Sequence, residues 1–277
     1  MIKIDYGYME DMHIGSKKTE IEQRHFPDGT LLLKIEDDTF VNRFGCPDIY
    51  WHYENDAELF TVICLAKKFK CKRLIMPYIP HARQDRCKNA EDTFTLKYFA
   101  DVINWLEFSE VVVLDPHSSV SEALINNIVV KTPDKYIEDA IISIGGTDNL
   151  MMFYPDEGAM KRYSGMFNIP YAFGIKQRDW ATGEIKGLDV SGMTNLIKNR
   201  KILIVDDICS RGGTFYHSAK KLKELGAKEI YLYVSHCENT ILEGEVLTSG
   251  LIKKVFTTDS IFTEEHEKVE VFQYGKY

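Results

Sequence analysis

Residues 201–227, KILIVDDICSRGGTFYHSAKKLKELGA, decide the fold. Ile202, Leu203, Ile204, Val205 and Ile208 form an apolar, mostly β-branched run, the pattern of a strand buried on both faces. Asp206 and Asp207 interrupt that run at its C-terminal end. Ser210, Arg211, Gly212, Gly213 and Thr214 follow as a short polar loop. From there Ala219, Leu222 and Leu225 recur at helical spacing, and Gly226 predicts the helix end. A strand, a glycine turn and a helix N-terminus make a phosphate site. Glycines let backbone N–H groups turn towards the anion, and the helix dipole favours negative charge there. The two acids would repel a phosphate unless they hold sugar hydroxyls or a metal. The expected ligand is therefore a phosphorylated sugar. An ordinary βα turn accounts for the glycines alone, but not for the whole string of acids, Ser, Gly-Gly and Thr.

The chain has 277 residues, enough for two domains with a sizeable core. Its net charge of −8, with no long basic stretch, argues against broad neutralisation of a nucleic-acid backbone. A phosphate ligand must instead be held by a few local cations, amides and metal. Cys46, Cys64, Cys71, Cys87, Cys209 and Cys237 show no CxxC pair and no framework spacing, the pattern of reduced thiols in a cytoplasmic protein. The first residues, MIKIDYGYMEDMHIG, lack the apolar core of a signal peptide. No stretch approaches the roughly 20 apolar residues of a membrane span.

Taken in order, the chain alternates strand and helix. Strands are expected at residues 2–8, 31–35, 73–78 and 111–114, with a turn at 25–29 and helices at 56–69 and 93–106. The second of these helices aligns Leu96, Phe99, Ala100 and Ile103 on one face. Residues 132–134 are a Pro-containing polar stretch and the best boundary, which predicts domains 1–134 and 135–277. The second half repeats the plan, with strands at 151–156, 171–175, 229–236 and 254–260 and a helix at 157–167. A polar loop from about Gln177 to Gly192 is expected to fold over the substrate. Such alternation implies an α/β protein of two similar domains, each a mainly parallel sheet flanked by helices. Ligands sit at the carboxyl ends of the strands in these sheets, where every polar cluster of this chain falls.

These clusters resemble one family. DDICSRGGT is similar to the loop of type I phosphoribosyltransferases that binds phosphoribosyl pyrophosphate, PRPP. ARQDR at residues 82–86, DPHS at 115–118, YPDEGA at 154–159, FPDG at 26–29 and KQR at 176–178 narrow the likeness to the ribose-phosphate pyrophosphokinases. That resemblance implies transfer of the pyrophosphoryl group of ATP to ribose 5-phosphate, giving PRPP and AMP, with Mg²⁺ as cofactor. It implies an ATP side in the first domain, and a ribose 5-phosphate site with a catalytic loop in the second. Lys176 and Arg178 become catalytic, Arg178 also touching ribose 5-phosphate. Asp206 and Asp207 hold the ribose hydroxyls, and Ser210, Arg211, Gly212, Gly213 and Thr214 cradle the 5-phosphate. Phe26 and Asp28 frame adenine, and Arg83 and Gln84 touch ATP. His117 and Asp156 become metal positions, Asp156 the safer one because Mg²⁺ prefers oxygen. A cytoplasmic homo-oligomer follows, dimer-based and in the family up to a hexamer, with no nucleic-acid or membrane partner.

The chain also departs from the family pattern. It reads FPDGT where FSDGE is usual, so Thr30 replaces a carboxylate. It reads SRGGT where the family loop is D-T-A-G-T, which adds Arg211. Cys87 replaces the basic residue common after ARQDR. Two other readings share part of the pattern. A phosphoribosyltransferase that consumes PRPP would not need ARQDR, DPHS and KQR together. A non-catalytic phosphoribosyl-binding relative would be expected to lose Lys176, Arg178 or His117, and all three are present.

Overall fold

The computed structural model describes residues 1–10, 13–34, 46–178 and 185–275, without the side chains of 6–10, 13–19, 176–178 and 185–188. The chain divides into two compact units, Met1–Thr132 and Pro133–Tyr277.

The first unit opens with β1 (Ile2–Glu10) and β2 (His13–Glu20), an antiparallel hairpin. A separate two-stranded ribbon follows, β3 (Gln23–His25) with β4 (Leu31–Leu33). Then come β5 (Asp48–Trp51), α1 (Glu58–Phe69), β6 (Arg73–Ile75), α2 (Thr95–Trp105), β7 (Glu110–Leu114), α3 (Ser119–Leu124) and β8 (Ile128–Lys131). The sheet order is β2-β1-β5-β6-β7-β8, and the run from β5 to β8 is parallel. α1 buries Val62, Leu65, Ala66 and Phe69, spaced three and four apart as a helix stripe requires, and ends at Lys70 in the left-handed region. α2 buries Leu96, Phe99, Ala100 and Ile103, the face read from the sequence. These side chains meet Ile2, Ile4, Ile49, Leu74, Val111 and Val113 of the sheet in one apolar core.

The second unit contains α4 (Asp134–Ser143), β9 (Leu150–Tyr154), α5 (Glu157–Tyr163), β10 (Tyr171–Arg178), β11 (Ile185–Gly192), β12 (Lys201–Cys209), α6 (Gly213–Glu224), β13 (Glu229–Cys237), α7 (Glu245–Thr248), β14 (Lys254–Thr258) and β15 (Val269–Phe272). The sheet order is β11-β10-β9-β12-β13-β14-β15, and every pair except β10/β11 is parallel. β12 is paired on both sides, and Ile202, Leu203, Ile204 and Val205 are buried, as an apolar run without alternation requires. α6 buries Phe215, Ser218, Ala219 and Leu222. It closes on Gly226 at φ +87°, with Gly226 N–H donating to Lys223 and Ala227 N–H to Leu222, a Schellman end that needs the left-handed residue.

Several sequence expectations change. The strand at 31–35 reaches only Leu33 within the described residues and pairs with β3 instead of joining the main sheet. The polar loop at 177–192 is largely a hairpin: β10 continues to Arg178 and β11 returns antiparallel, leaving residues 179–184 outside the described chain. The helix at 157–167 stops at Tyr163. Edge strands β2 (HIGSKKTE) and β11 (IKGLDVSG) carry too few apolar residues to announce themselves, since an edge strand needs only half a buried face.

Candidate active site

The site in the second unit is built where β9 and β12 end. Asp206 and Asp207 stand near the end of β12, Asp206 half-buried and Asp207 buried. Asp207 N–H donates to Asp206 Oδ1 at 3.0 Å, which orients the first carboxylate. Arg162 Nη1 of α5 lies 3.5 Å from Asp207 Oδ2. Asp156 is the N-cap of α5 and accepts from Ala159 N–H at 3.1 Å. Burial and the charges of Asp207 and Asp156 push the Asp206 carboxyl well above the usual carboxylate range. Paired acids beside one guanidinium suit hydroxyl donors or a cation from a ligand.

The loop after β12 brings Ser210, Arg211, Gly212, Gly213 and Thr214 to the N-terminus of α6. Gly212 takes φ +78°, the left-handed region that glycine reaches readily, and caps the start of α6. Phe215 and Tyr216 N–H groups close onto Gly212 O at 2.9 Å each, so the first turn is formed. The structure thus places Asp156 near Asp206, beside Asp207, with residues 210–214 following the same strand. It adds Arg162 and Glu238, which sequence reasoning missed. Ser210 Oγ donates to Glu238 Oε2 at 2.7 Å, a contact across 28 residues that no local pattern reveals.

The first unit carries the second group of expected site residues. Phe26 is half-exposed at the tip of the β3–β4 ribbon, where Gly29 N–H donates to Phe26 O and Phe26 N–H to Thr30 O, both at 2.8 Å. Thr30 N–H and Oγ1 donate to Asp28 Oδ1 at 3.0 and 2.7 Å, which holds the Asp28 carboxyl below its ordinary value. Arg83 and Gln84 follow β6 on an exposed turn. Gln84 Oε1 accepts from Thr95 Oγ1 at 2.6 Å, so this side chain also holds the start of α2. Asp85, buried between Arg86 and Ser118, joins the ARQDR and DPHS segments. Burial pushes its carboxyl up, but hydrogen bonds from Arg86 and Ser118, with the nearby Arg86 and His117 charges, bring it below the usual range. His117 is in this unit and Asp156 in the other. The side chains of Lys176 and Arg178 lie outside the described residues; their backbone forms the end of β10.

Among the described residues, no three His, Cys, Asp or Glu side chains stand together as a metal cage. The carboxylate of Asp156 suits Mg²⁺, which takes one or two carboxylates and fills its remaining positions with water and substrate phosphate. Among the same residues, no helix is long and apolar enough to cross a membrane.

A mainly parallel sheet, paired acids at its central strand and a glycine loop opening a helix define the phosphoribosyltransferase class of α/β protein. The family model described as phosphoribosyl transferase domain matches residues 161–271, which include β12, the loop and α6. The chain is 28% identical over 276 residues to the ribose-phosphate pyrophosphokinase of Caldanaerobacter subterraneus, covering 93% of this chain and 83% of that one. It is 27% identical over 257 residues to the ribose-phosphate pyrophosphokinase of Sulfolobus acidocaldarius, covering 89% and 86%. The crystal structure of phosphoribosylpyrophosphate synthetase from Mycobacterium smegmatis has the same fold, with a TM-score of 0.72 at 20% identity over 92% of this chain and 86% of that one. The chain is a relative of the ribose-phosphate pyrophosphokinases.

Proposed function

We propose that the chain is a ribose-phosphate diphosphokinase that uses ATP and ribose 5-phosphate. The observation that carries this is the pairing of Asp206 and Asp207 with the loop of residues 210–214 at the start of α6. The anomeric hydroxyl oxygen of ribose 5-phosphate forms a bond to the β-phosphorus of ATP. The bond from that phosphorus to the bridging oxygen of the α-phosphate breaks, AMP leaves, and the hydroxyl proton passes to solvent. The products are PRPP and AMP.

Asp206 and Asp207 accept hydrogen bonds from the ribose hydroxyls, and the amides of residues 210–214 hold the 5-phosphate against the helix dipole. Lys176 and Arg178 neutralise charge on the transferring phosphoryl oxygens, where fixed cations lower the barrier most. Arg83 forks onto ATP phosphate, Gln84 supports it, and Phe26 and Asp28 frame adenine. Asp156 would hold Mg²⁺ in the second unit, and His117 of the first unit is the other metal position that the family resemblance implies. Bound there, the ion supplies charge neutralisation and orientation of the phosphates. The half-exposed Phe26 at a ribbon tip supports a homo-oligomer in which this ribbon reaches a neighbouring subunit's ATP site. A cytoplasmic setting suits the six free thiols.

The test is incubation with ATP, Mg²⁺ and ribose 5-phosphate, following AMP and PRPP, with chelator as control. Release of AMP that requires both ribose 5-phosphate and metal is expected. Cleavage to ADP alone, or no PRPP, overturns the reading.

A further inference from the structure

Two of the three side-chain donors in the phosphate loop are held by acids of the following turn. Ser210 Oγ donates to Glu238 Oε2 at 2.7 Å, and Glu238 also accepts from Thr240 Oγ1 at 3.1 Å. Arg211 Nε and Nη2 donate to Glu243 Oε2 at 3.1 and 2.8 Å, both residues exposed. Glu238 and Glu243 bracket the 3-10 turn Asn239–Glu243, and the family loop as read from the sequence has no counterpart of Arg211.

The turn is packed against the loop by backbone, not by chance side-chain reach. Glu238 N–H donates to Cys209 O at 2.8 Å, tying the turn to the end of β12. A Cβ on Gly244 would lie 1.9 Å from the carbonyl oxygen of Arg211, so only glycine lets the two backbones approach this closely. The acids are therefore delivered to these donors by the fold. A carboxylate on Ser210 or Arg211 occupies hydrogen bonds that a phosphate oxygen would otherwise take.

We propose that Glu238 and Glu243 act as intramolecular stand-ins for the substrate phosphate. They hold Ser210 and Arg211 and yield them when a sugar phosphate binds. This inference rests on the ribose 5-phosphate reading of the loop. A phosphate dianion carries more charge and more acceptor oxygens than one carboxylate, so it wins the exchange. A sugar without phosphate gains nothing from it. The acids thus lower affinity and sharpen selection for the phosphorylated sugar, since binding is weakened by the fraction of loop held in the paired state. The Arg211–Glu243 pair is exposed, so its hold is small.

The test is calorimetric titration of the full chain with ribose 5-phosphate, and with ribose as control. Glu243→Gln is expected to tighten ribose 5-phosphate binding roughly two- to fivefold, the range an exposed ion pair supports. Arg211→Ala should weaken binding, and the double variant should match Arg211→Ala, because the gain runs through Arg211. Glu238→Gln, which keeps an acceptor but removes the charge, should also tighten binding. Ribose binding should be the same in all variants. If folded Glu243→Gln and Glu238→Gln bind no tighter than wild type, the exchange is overturned. The same holds if the double variant keeps the Glu243→Gln gain, which would mark a general charge effect. Absence of saturable ribose 5-phosphate binding by the wild type would instead defeat the reading of the loop itself, and this inference with it.

Discussion

A Cβ placed on Gly212 lies 2.2 Å from Cγ2 of Val246, so the phosphate loop and α7 are in contact at a point where only hydrogen fits. Gly212 also sits at φ +78°, where an L side chain is strained. Gly212→Ala is expected to lower stability by about 1–3 kcal/mol through overpacking and strain. It should also weaken ribose 5-phosphate binding, because the loop amides move. Thermal melts and ligand titration check both effects, and an alanine variant unchanged in each would show that the loop has other room.

Asp206 accepts from the Asp207 N–H at 3.0 Å, which fixes its carboxyl near the end of β12. Asp206→Asn should weaken ribose 5-phosphate binding by about 0.5–3 kcal/mol, the worth of one lost hydrogen bond. ATP binding should change little. Equal loss of both affinities would place this acid in the ATP site or in the fold.

Lys176 lies two residues before the end of β10, with backbone paired to Leu188. A cation held where charge develops is worth roughly 10²–10³-fold in turnover. Lys176→Ala should lower kcat by that factor with a smaller change in the KM for ATP. Near-normal turnover would make the hairpin a solvated surface.

Thr30 is committed to Asp28 through its N–H and its hydroxyl, leaving Asp28 as the one acid of this turn. A carboxylate accepts from the adenine amino group and repels a base that presents an acceptor there. Thr30→Glu adds a second such acid and should widen the ATP-over-GTP ratio of kcat/KM. A ratio identical to that of the wild type leaves Phe26 and Asp28 as the base contacts.

Glu58 is buried at the start of α1 and accepts from the Met1 ammonium at 2.7 Å, Trp51 Nε1 at 2.9 Å and Glu54 N–H at 2.8 Å. Burial pushes its carboxyl up, but these donors bring it below the ordinary 4.5. A folded value below the unfolded one contributes stability above the unfolded pKa, and that stability is lost as pH falls through the folded value. Glu58→Gln should therefore cost about 1–3 kcal/mol at neutral pH. The gap from wild type should narrow below roughly pH 4, as the wild-type carboxyl itself protonates. Denaturant melts across that range check it, and a gap independent of pH would remove charge from the account.

The sequence by itself determined the α/β class and the strand–loop–helix at residues 201–226. Both rest on local signals: an unbroken β-branched run, a helical stripe and a glycine that closes the helix at positive φ. It also placed the acids and the phosphate loop at the ends of strands, because the run of apolar residues stops where the polar cluster starts. Only the tertiary structure decided which strands pair. β4 has the composition of a sheet strand yet pairs with β3, and β11 reads as polar loop yet completes a hairpin with β10, because pairing depends on the partner edge and not on the strand's own residues. The same holds in the site. Nothing near Ser210 or Arg211 in the chain announces Glu238 and Glu243, which reach the loop because β13 runs parallel to β12 and its end lies beside the end of β12. Asp85 likewise meets Ser118, 33 residues further along the chain, a contact set by the neighbouring parallel strands β6 and β7. Side-chain partners across a parallel sheet are fixed by register, which is a property of the folded sheet and has no local trace in the chain.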